Sequence, residues 1–299
     1  MEVGGSHSDD KQASQTGPSE PEKEYDIINP VVVTGFGEIS DPPSKGTKCI
    51  DANKINEQNF SWLVVEKLSE TISFQGKEIP ILKGMREPCS GDDDNNTSNP
   101  PQPVRVSYSS ILSKDFQHWL NSARALVYVH LGITSAKENC IYLETTANRN
   151  VDFTSDADGE IPQVCISNSA AAANPVLRTK FDCSDLCDKL KQKFKSGITP
   201  QGSSAPVKLS FEVSDDAGYF LCNFLYYESL CLASKRESGL GLNVLFVHVP
   251  EKLRTTPQSV SESDKAEALA PVIEFIIQEL LQQQQAAKYH MQHASIDHS

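Results

Sequence analysis

The chain has 299 residues, 38% of them hydrophobic, with 27 basic against 40 acidic side chains and a formal net charge of -13. That length can bury a substantial core, and the acidic balance excludes nucleic acid and an anionic membrane surface as partners, since both demand basic patches. No apolar run reaches the length of a membrane span and the start lacks the apolar core of a signal peptide, so the cytosol is the expected compartment. Eight cysteines are too few for a disulfide scaffold of this size and are expected as free thiols.

Residues 1–26 are rich in Ser, Gly, Gln, Asp, Glu and Pro and cannot repay the entropy of ordering, which predicts a disordered tail. Order is expected from 27, where Val31, Val32 and Val33 form a β-branched run typical of a strand buried on both faces. The Gly35, Phe36, Gly37 turn after it is not a dinucleotide loop: the third glycine is missing and a polar, proline-containing stretch follows instead of a helix. Apolar positions at 60, 63, 64, 65, 68 and 72 predict a helix over 59–72, and 78–82 a short strand whose Pro80 suggests a sheet edge. The acidic, Asn-rich stretch 89–103 reads as an exposed insertion.

A helix is expected over 110–123, a central strand over 125–131, a loop over 132–137 and a strand over 140–145 that ends near Glu144. Between 148 and 206 only one helix is legible, 184–194, with Leu186, Leu190 and Phe194 at four-residue spacing. Cys183 and Cys187 on it are spaced like a metal half-site, but no second Cys or His pair completes one, so neither a metal nor another cofactor is expected. Val207, Leu209, Phe211 and Val213 alternate as a strand with one buried face, and Ser214, Asp215 and Asp216 look like caps for the apolar helix 220–232. A glycine-bounded turn at Gly239 and Gly241 leads to a core strand over 243–249, which carries His248 just before Pro250. The last element is an amphipathic helix over 269–281 with Pro271 in its first turn, and 285–299 reads as a second tail. Strands alternating with helices imply one α/β domain over 27–284, with a mostly parallel sheet covered on both faces.

Cys222 falls in the first turn of its helix, where unpaired amides and the helix dipole favour a thiolate. Ligand sites in such sheets lie beyond the carboxyl ends of the strands, and Phe36, Glu144, the Ser214 turn leading to Cys222, and His248 are all expected at one such rim. A thiol, an imidazole able to take its proton and a carboxylate able to hold the imidazole form a nucleophile, base and orienter set suited to acyl transfer through a thioester. Cys231, more than two turns into the helix, is the poorer nucleophile. A non-hydrolytic binding protein on the same frame, or a hydrolase of another N-blocked residue, are the alternatives.

SDDAGYFLCNFLYY at 214–227 with FVHVP at 246–250 resembles the signature of the pyroglutamyl peptidase I family, cysteine peptidases that remove an N-terminal pyroglutamate. The similarity extends to VVVTGFG at 31–37, NFSWLVVEKL at 59–68, EIPI at 78–81, LVYVHLG at 126–132 and IYLETTANRN at 141–150. The resemblance implies a three-layer α/β/α sandwich with Cys222 as nucleophile, His248 as base and then acid, and Glu144 as its carboxylate partner. It also implies that Phe36 packs on the pyrrolidone ring, that Phe220 and Leu221 line the slot and that Asn59 lies near it. The substrates would be N-terminally pyroglutamylated peptides. Glu38 and Ile39 stand where the family motif carries proline and phenylalanine, which exchanges the second aromatic wall of the slot for an aliphatic one.

Overall fold

The computed structural model describes residues 29–37, 59–85, 101–162, 174–235 and 243–294. The elements in chain order are β1 (Val31–Gly35), α1 (Phe60–Lys67), β2 (Thr71–Phe74), β3 (Lys77–Lys83), α2 (Tyr108–Leu112), α3 (Lys114–Ser122), β4 (Val127–Thr134) and β5 (Cys140–Glu144). They continue with β6 (Thr146–Asn148), β7 (Val176–Arg178), α4 (Cys183–Lys193), β8 (Ser210–Ser214), α5 (Leu221–Lys235), β9 (Asn243–Pro250) and α6 (Glu262–Ala294).

Seven strands form one sheet in the order β2-β3-β1-β4-β9-β5-β8, and β6 pairs with β7 beside it. Successive side chains of a strand point to opposite faces, and here each face meets its own helices. Val31, Val33, Val127, Val129, Leu131, Leu245 and Val247 pack with α1, α4 and α6, whereas Val32, Tyr128, Val244 and Phe246 pack with α2, α3 and α5. The result is a helix, sheet, helix sandwich with the sheet mostly parallel. Each fully buried Leu, Ile, Val or Phe in these layers contributes about 1.5–3 kcal/mol of apolar burial. Helix α5 is buried on almost every side, with Leu221, Phe224, Leu225, Tyr226, Tyr227 and Cys231 at or below 1% exposure, as its nearly unbroken apolar sequence requires.

Several expectations are corrected. The first helix stops at Lys67, and Leu68 is already extended (ψ 152). Ile72 instead belongs to β2, which turns through Gln75 (φ 52) and Gly76 (φ 75) into antiparallel β3. Both central turn residues are left-handed, the geometry that matches the twist of a tight hairpin. Leu68 and Ile72 bury in the same core, and their spacing fits a helical stripe as well as the observed turn into β2. β3 is therefore internal, and β2 is the edge. Pro80 is tolerated because the parallel ladder to β1 starts one residue later, at Ile81 opposite Val31.

The helix expected over 110–123 is broken at Ser113 (ψ 146), whose hydroxyl accepts the Phe116 amide hydrogen bond at 3.1 Å and restarts the chain as α3. β4 does not end at 131: Gly132, Ile133 and Thr134 continue it, opposite His248, Val249 and Pro250. Val213 is exposed on edge strand β8 rather than buried with Phe211. α6 begins at Glu262 and runs on to Ala294, past the tail boundary expected at 285, so Pro271 lies inside it; that residue faces solvent, where the hydrogen bond it forfeits is least missed. Residues 1–26, Glu38, Ile39, most of 89–103, and Gly239 and Gly241 lie outside the described residues.

Strand direction is the correction that matters for the site. β4 runs parallel to β9, but β5 runs antiparallel to β9, and β8 follows β5. The connection 135–139 is far too short for the helical crossover that a parallel neighbour needs.

Candidate active site

Cys222 is the second residue of α5 and the only half-buried side chain in a first turn otherwise sealed by Leu221, Asn223 and Phe224. Its sulfur rests on the sheet: a Cβ built on Gly132 would come within 2.8 Å of Sγ. The thiol thus stands where a helix N-terminus is pressed against a glycine of a central strand. Ser214 and Asp216 do not cap this helix. The Ser214 hydroxyl accepts from the Asp216 amide at 3.1 Å and the Asp216 carboxylate from the Gly218 amide at 3.0 Å, so both shape the turn before it.

His248 lies opposite Gly132 in the β4–β9 ladder and on the same face, which brings its ring beside the sulfur. Its Nδ1 donates to Glu144 Oε1 at 2.8 Å, which leaves Nε2 for Cys222. Burial disfavours the charged imidazole, but the charge on Cys222, the hydrogen bond to its sulfur and the Glu144 carboxylate together outweigh burial and lift His248 to about 10. Glu144 is 1% exposed, and its Oε2 has no hydrogen-bond partner among the described residues. The three groups thus come from α5, β9 and β5. They meet on the face of the sheet rather than at one carboxyl rim, because Glu144 arrives on a strand running against β9 and stands beside Phe246.

The end of β5 is laced to the turn before α5. Thr145 donates to the Ser214 carbonyl through its amide at 2.7 Å and its hydroxyl at 2.9 Å, and the Thr146 hydroxyl donates to the Asp215 carbonyl at 2.6 Å. Asn223, next to Cys222, accepts from the Asn148 amide at 2.8 Å and donates to its carbonyl at 2.7 Å, replacing a strand partner. Buried Asp156 draws the following loop inward by accepting from the amides of Tyr108, Asp158 and Glu160. This seats Phe153 against Tyr108 (5.9 Å) and Phe224 (5.6 Å) and leaves Phe220 edge-on to Tyr108 at 6.2 Å.

Phe36 is 4% exposed and pinned at the end of β1 by pairing with Val104. It shares an apolar cluster with Leu221, while Phe220 packs against that cluster from a partly exposed position. Asn59 serves α1 and Phe36 together: its Oδ1 accepts from the Ser61 amide (3.0 Å) and hydroxyl (2.8 Å), and that hydroxyl accepts from the Phe36 amide at 3.1 Å. Two residues escape a reading of the sequence. Gly132 was hidden in an expected loop, although a glycine within a β-rich run signals close approach of another group. Tyr108 carries no such signal. It is kept a neutral phenol chiefly by burial, then by the charges of Asp156 and Cys222, and its ring packs edge-on to Phe220 and Phe224, two residues either side of Cys222. Among the described residues, no group of three or more His, Cys, Asp and Glu side chains could hold a metal ion.

The family profile described as "Putative pyroglutamyl peptidase PgaPase_1" matches residues 102–253, just over half of the chain and a span containing Glu144, Cys222 and His248. No curated protein matches in sequence. Among solved structures, pyrrolidone carboxyl peptidase from Thermococcus litoralis is similar with a TM-score of 0.52 at 15% identity, over 86% of this chain and 96% of that one. The enzyme from Fervidobacterium islandicum gives 0.49 at 21% identity, over 82% and 97%. A mutant of the Pyrococcus furiosus enzyme gives 0.49 at 18%, over 84% and 99%. At these identities the Thermococcus likeness shows a shared fold, and the profile match shows the family. The chain belongs to the pyroglutamyl peptidase family.

Proposed function

We propose that this protein is a cysteine peptidase that hydrolyses the amide bond after an N-terminal pyroglutamate. The observation that carries the reading is the hydrogen-bonded series Cys222, His248, Glu144, with Nδ1 to Oε1 at 2.8 Å. The Cys222 thiolate attacks the pyroglutamyl carbonyl, and the negative charge that develops on oxygen is met by the unpaired amides at the start of α5. His248 Nε2 hands its proton to the departing amine as the C–N bond breaks, leaving a thioester. Water then attacks while His248 takes its proton, and the thiolate leaves with pyroglutamic acid released. Glu144 holds the ring orientation and balances the imidazolium charge throughout.

A five-membered lactam has no charge and two polar groups, so a slot lined by Phe36, Phe220 and Leu221 would suit it, with Asn59 holding Phe36 through the Ser61 hydroxyl. An ordinary N-terminus would bring an ammonium into the same slot without a partner, which is strongly disfavoured. The test is turnover of a fluorogenic pyroglutamyl amide under reducing conditions. Activity that Cys222→Ser abolishes supports the reading; absence of turnover by the intact protein removes it.

A further inference from the structure

We propose that Tyr226 is a positioning residue for the Cys222, His248 and Glu144 series, its hydroxyl fixing the carboxylate-bearing end of β5 to the helix that carries the sulfur. This rests on the triad reading above and extends it. Tyr226 follows Cys222 by four residues in α5 and so lies one turn along the same helix face. Its side chain is fully buried, and its hydroxyl donates to the Glu144 main-chain carbonyl at 2.8 Å. Its ring lies 5.7 Å from Phe246, whose ring in turn lies 4.9 Å from that of His248. One side chain therefore rides on the nucleophile's helix, grips the backbone of the acid and backs the ring that supports the base.

The grip falls on a short pairing at the end of a strand. β5 meets β9 over only Tyr142, Leu143 and Glu144, and Glu144 is the last residue of its strand. Ladder bonds resist separation of strands; the Tyr226 bond resists a shift of the strand end relative to α5, the movement that would lengthen Nδ1 to Oε1. Burial, with the charges of Cys183 and Glu144 adding to it, raises the phenol well above its ordinary pKa, so it stays a donor at any working pH. The groups facing His248 are Cys222 from α5, Glu144 and Tyr142 from β5, and from β4 only Gly132, which does not titrate.

Two other tyrosines supply controls of the same chemistry. Tyr227, the next residue, donates to the Asn174 carbonyl at 2.7 Å, and Tyr128 donates to the Leu120 carbonyl at 2.8 Å; neither bond reaches the series. Tyr226→Phe, Tyr227→Phe and Tyr128→Phe are compared by thermal midpoint, by kcat and KM on the pyroglutamyl amide, and by the pH dependence of Cys222 alkylation with iodoacetamide. All three should lose similar stability. Tyr226→Phe alone should lower kcat about 10-fold with KM within about twofold, since misplacement of a fraction of an ångström is felt in the transition state. It should also move the acid limb of the alkylation profile to higher pH. Should that variant fail to fold, Tyr226→4-aminophenylalanine, which keeps the ring and offers a weaker donor to the Glu144 carbonyl, reads the same quantities. A kcat and alkylation profile matching those of Tyr227→Phe overturn the positioning role. Failure of the intact protein to cleave the amide would remove the peptidase reading, while the alkylation profiles would still decide this one.

Discussion

Gly132→Ala adds one methyl group at the point where α5 touches the sheet. The new carbon would lie 2.8 Å from Cys222 Sγ and 2.9 Å from two ring carbons of Phe246, whereas ordinary contact begins at 3.4 Å. The backbone at 132 is not in the left-handed region, so alanine is conformationally acceptable and the effect is one of volume. Phe246 is fully buried between Tyr226 and His248 and has no room to move, which leaves the half-buried sulfur to retreat by about 0.6 Å, the difference between those two separations. Overpacking of this kind costs about 1–3 kcal/mol, and since retreat of the sulfur leaves the clash with Phe246 in place, the upper end applies. A misplacement of about 1 Å at a reacting atom costs about 100-fold in rate, so a shift of this size should lower kcat/KM on the order of 10-fold. Steady-state assays on the pyroglutamyl amide, beside a thermal melt, measure both quantities. Activity within twofold of the parent would mean that the sulfur does not rest on β4, and the geometry given for Cys222 would be wrong.

Glu144→Gln keeps the shape of the side chain but removes the charge that favours the imidazolium, so kcat should fall by about 10²–10⁴, with iodoacetamide alkylation of Cys222 confined to higher pH. His248 is raised to about 10 in the folded state, above its unfolded value near 6.5. Its contribution to stability is therefore complete below about 6.5 and is lost as pH rises through 10. The thermal midpoint of the parent should drop more between pH 8 and 10.5 than that of Cys222→Ser, which has no thiolate to hold the imidazolium. His130 has the opposite sign: complete burial between Thr34 (2.8 Å) and Ser229 (2.9 Å) lowers it to about 3. Its contribution is present above about 6.5 and is lost as pH falls toward 3, roughly 5 kcal/mol in all, so His130→Gln should flatten the acid limb of a denaturation profile.

The series was legible because each of its members sits where local pattern is strongest. Cys222 opens an apolar helix after a polar turn, His248 closes a β-rich run, and Glu144 ends an alternating one. Their assembly was not legible, because strand direction is decided by pairing across the chain. Nothing in 140–144 alone distinguishes a strand running with β9 from one running against it. The length of 135–139 carried the only clue, obscured by reading the end of β4 as loop. The hairpin of β2 and β3 was lost for a related reason: Leu68 and Ile72 satisfy the helical period, and only the backbone at Gln75 and Gly76 reveals the turn. Tyr108 and Tyr226 have no distinguishing neighbours in sequence, since what each does depends on a loop or strand more than forty positions away.

Burial of Glu144 makes the site costly to assemble and ties its stability to its chemistry. The carboxylate is 1% exposed with one oxygen on His248 and the other without a partner among the described residues, so the imidazole is the main compensation for taking that charge out of water. His248→Ala should then be far more destabilising than the loss of one ring, by about 3–5 kcal/mol, because it strands a buried acid. Replacing both partners removes the stranded charge, and His248→Ala combined with Glu144→Leu should recover much of that loss while remaining inactive. Chemical denaturation of the two single variants and the double variant gives the coupling between them. Additive losses would show that water reaches Glu144 and that the pair is held for chemistry alone; a double variant more stable than His248→Ala would show that the acid is tolerated in the core only because its base stands against it.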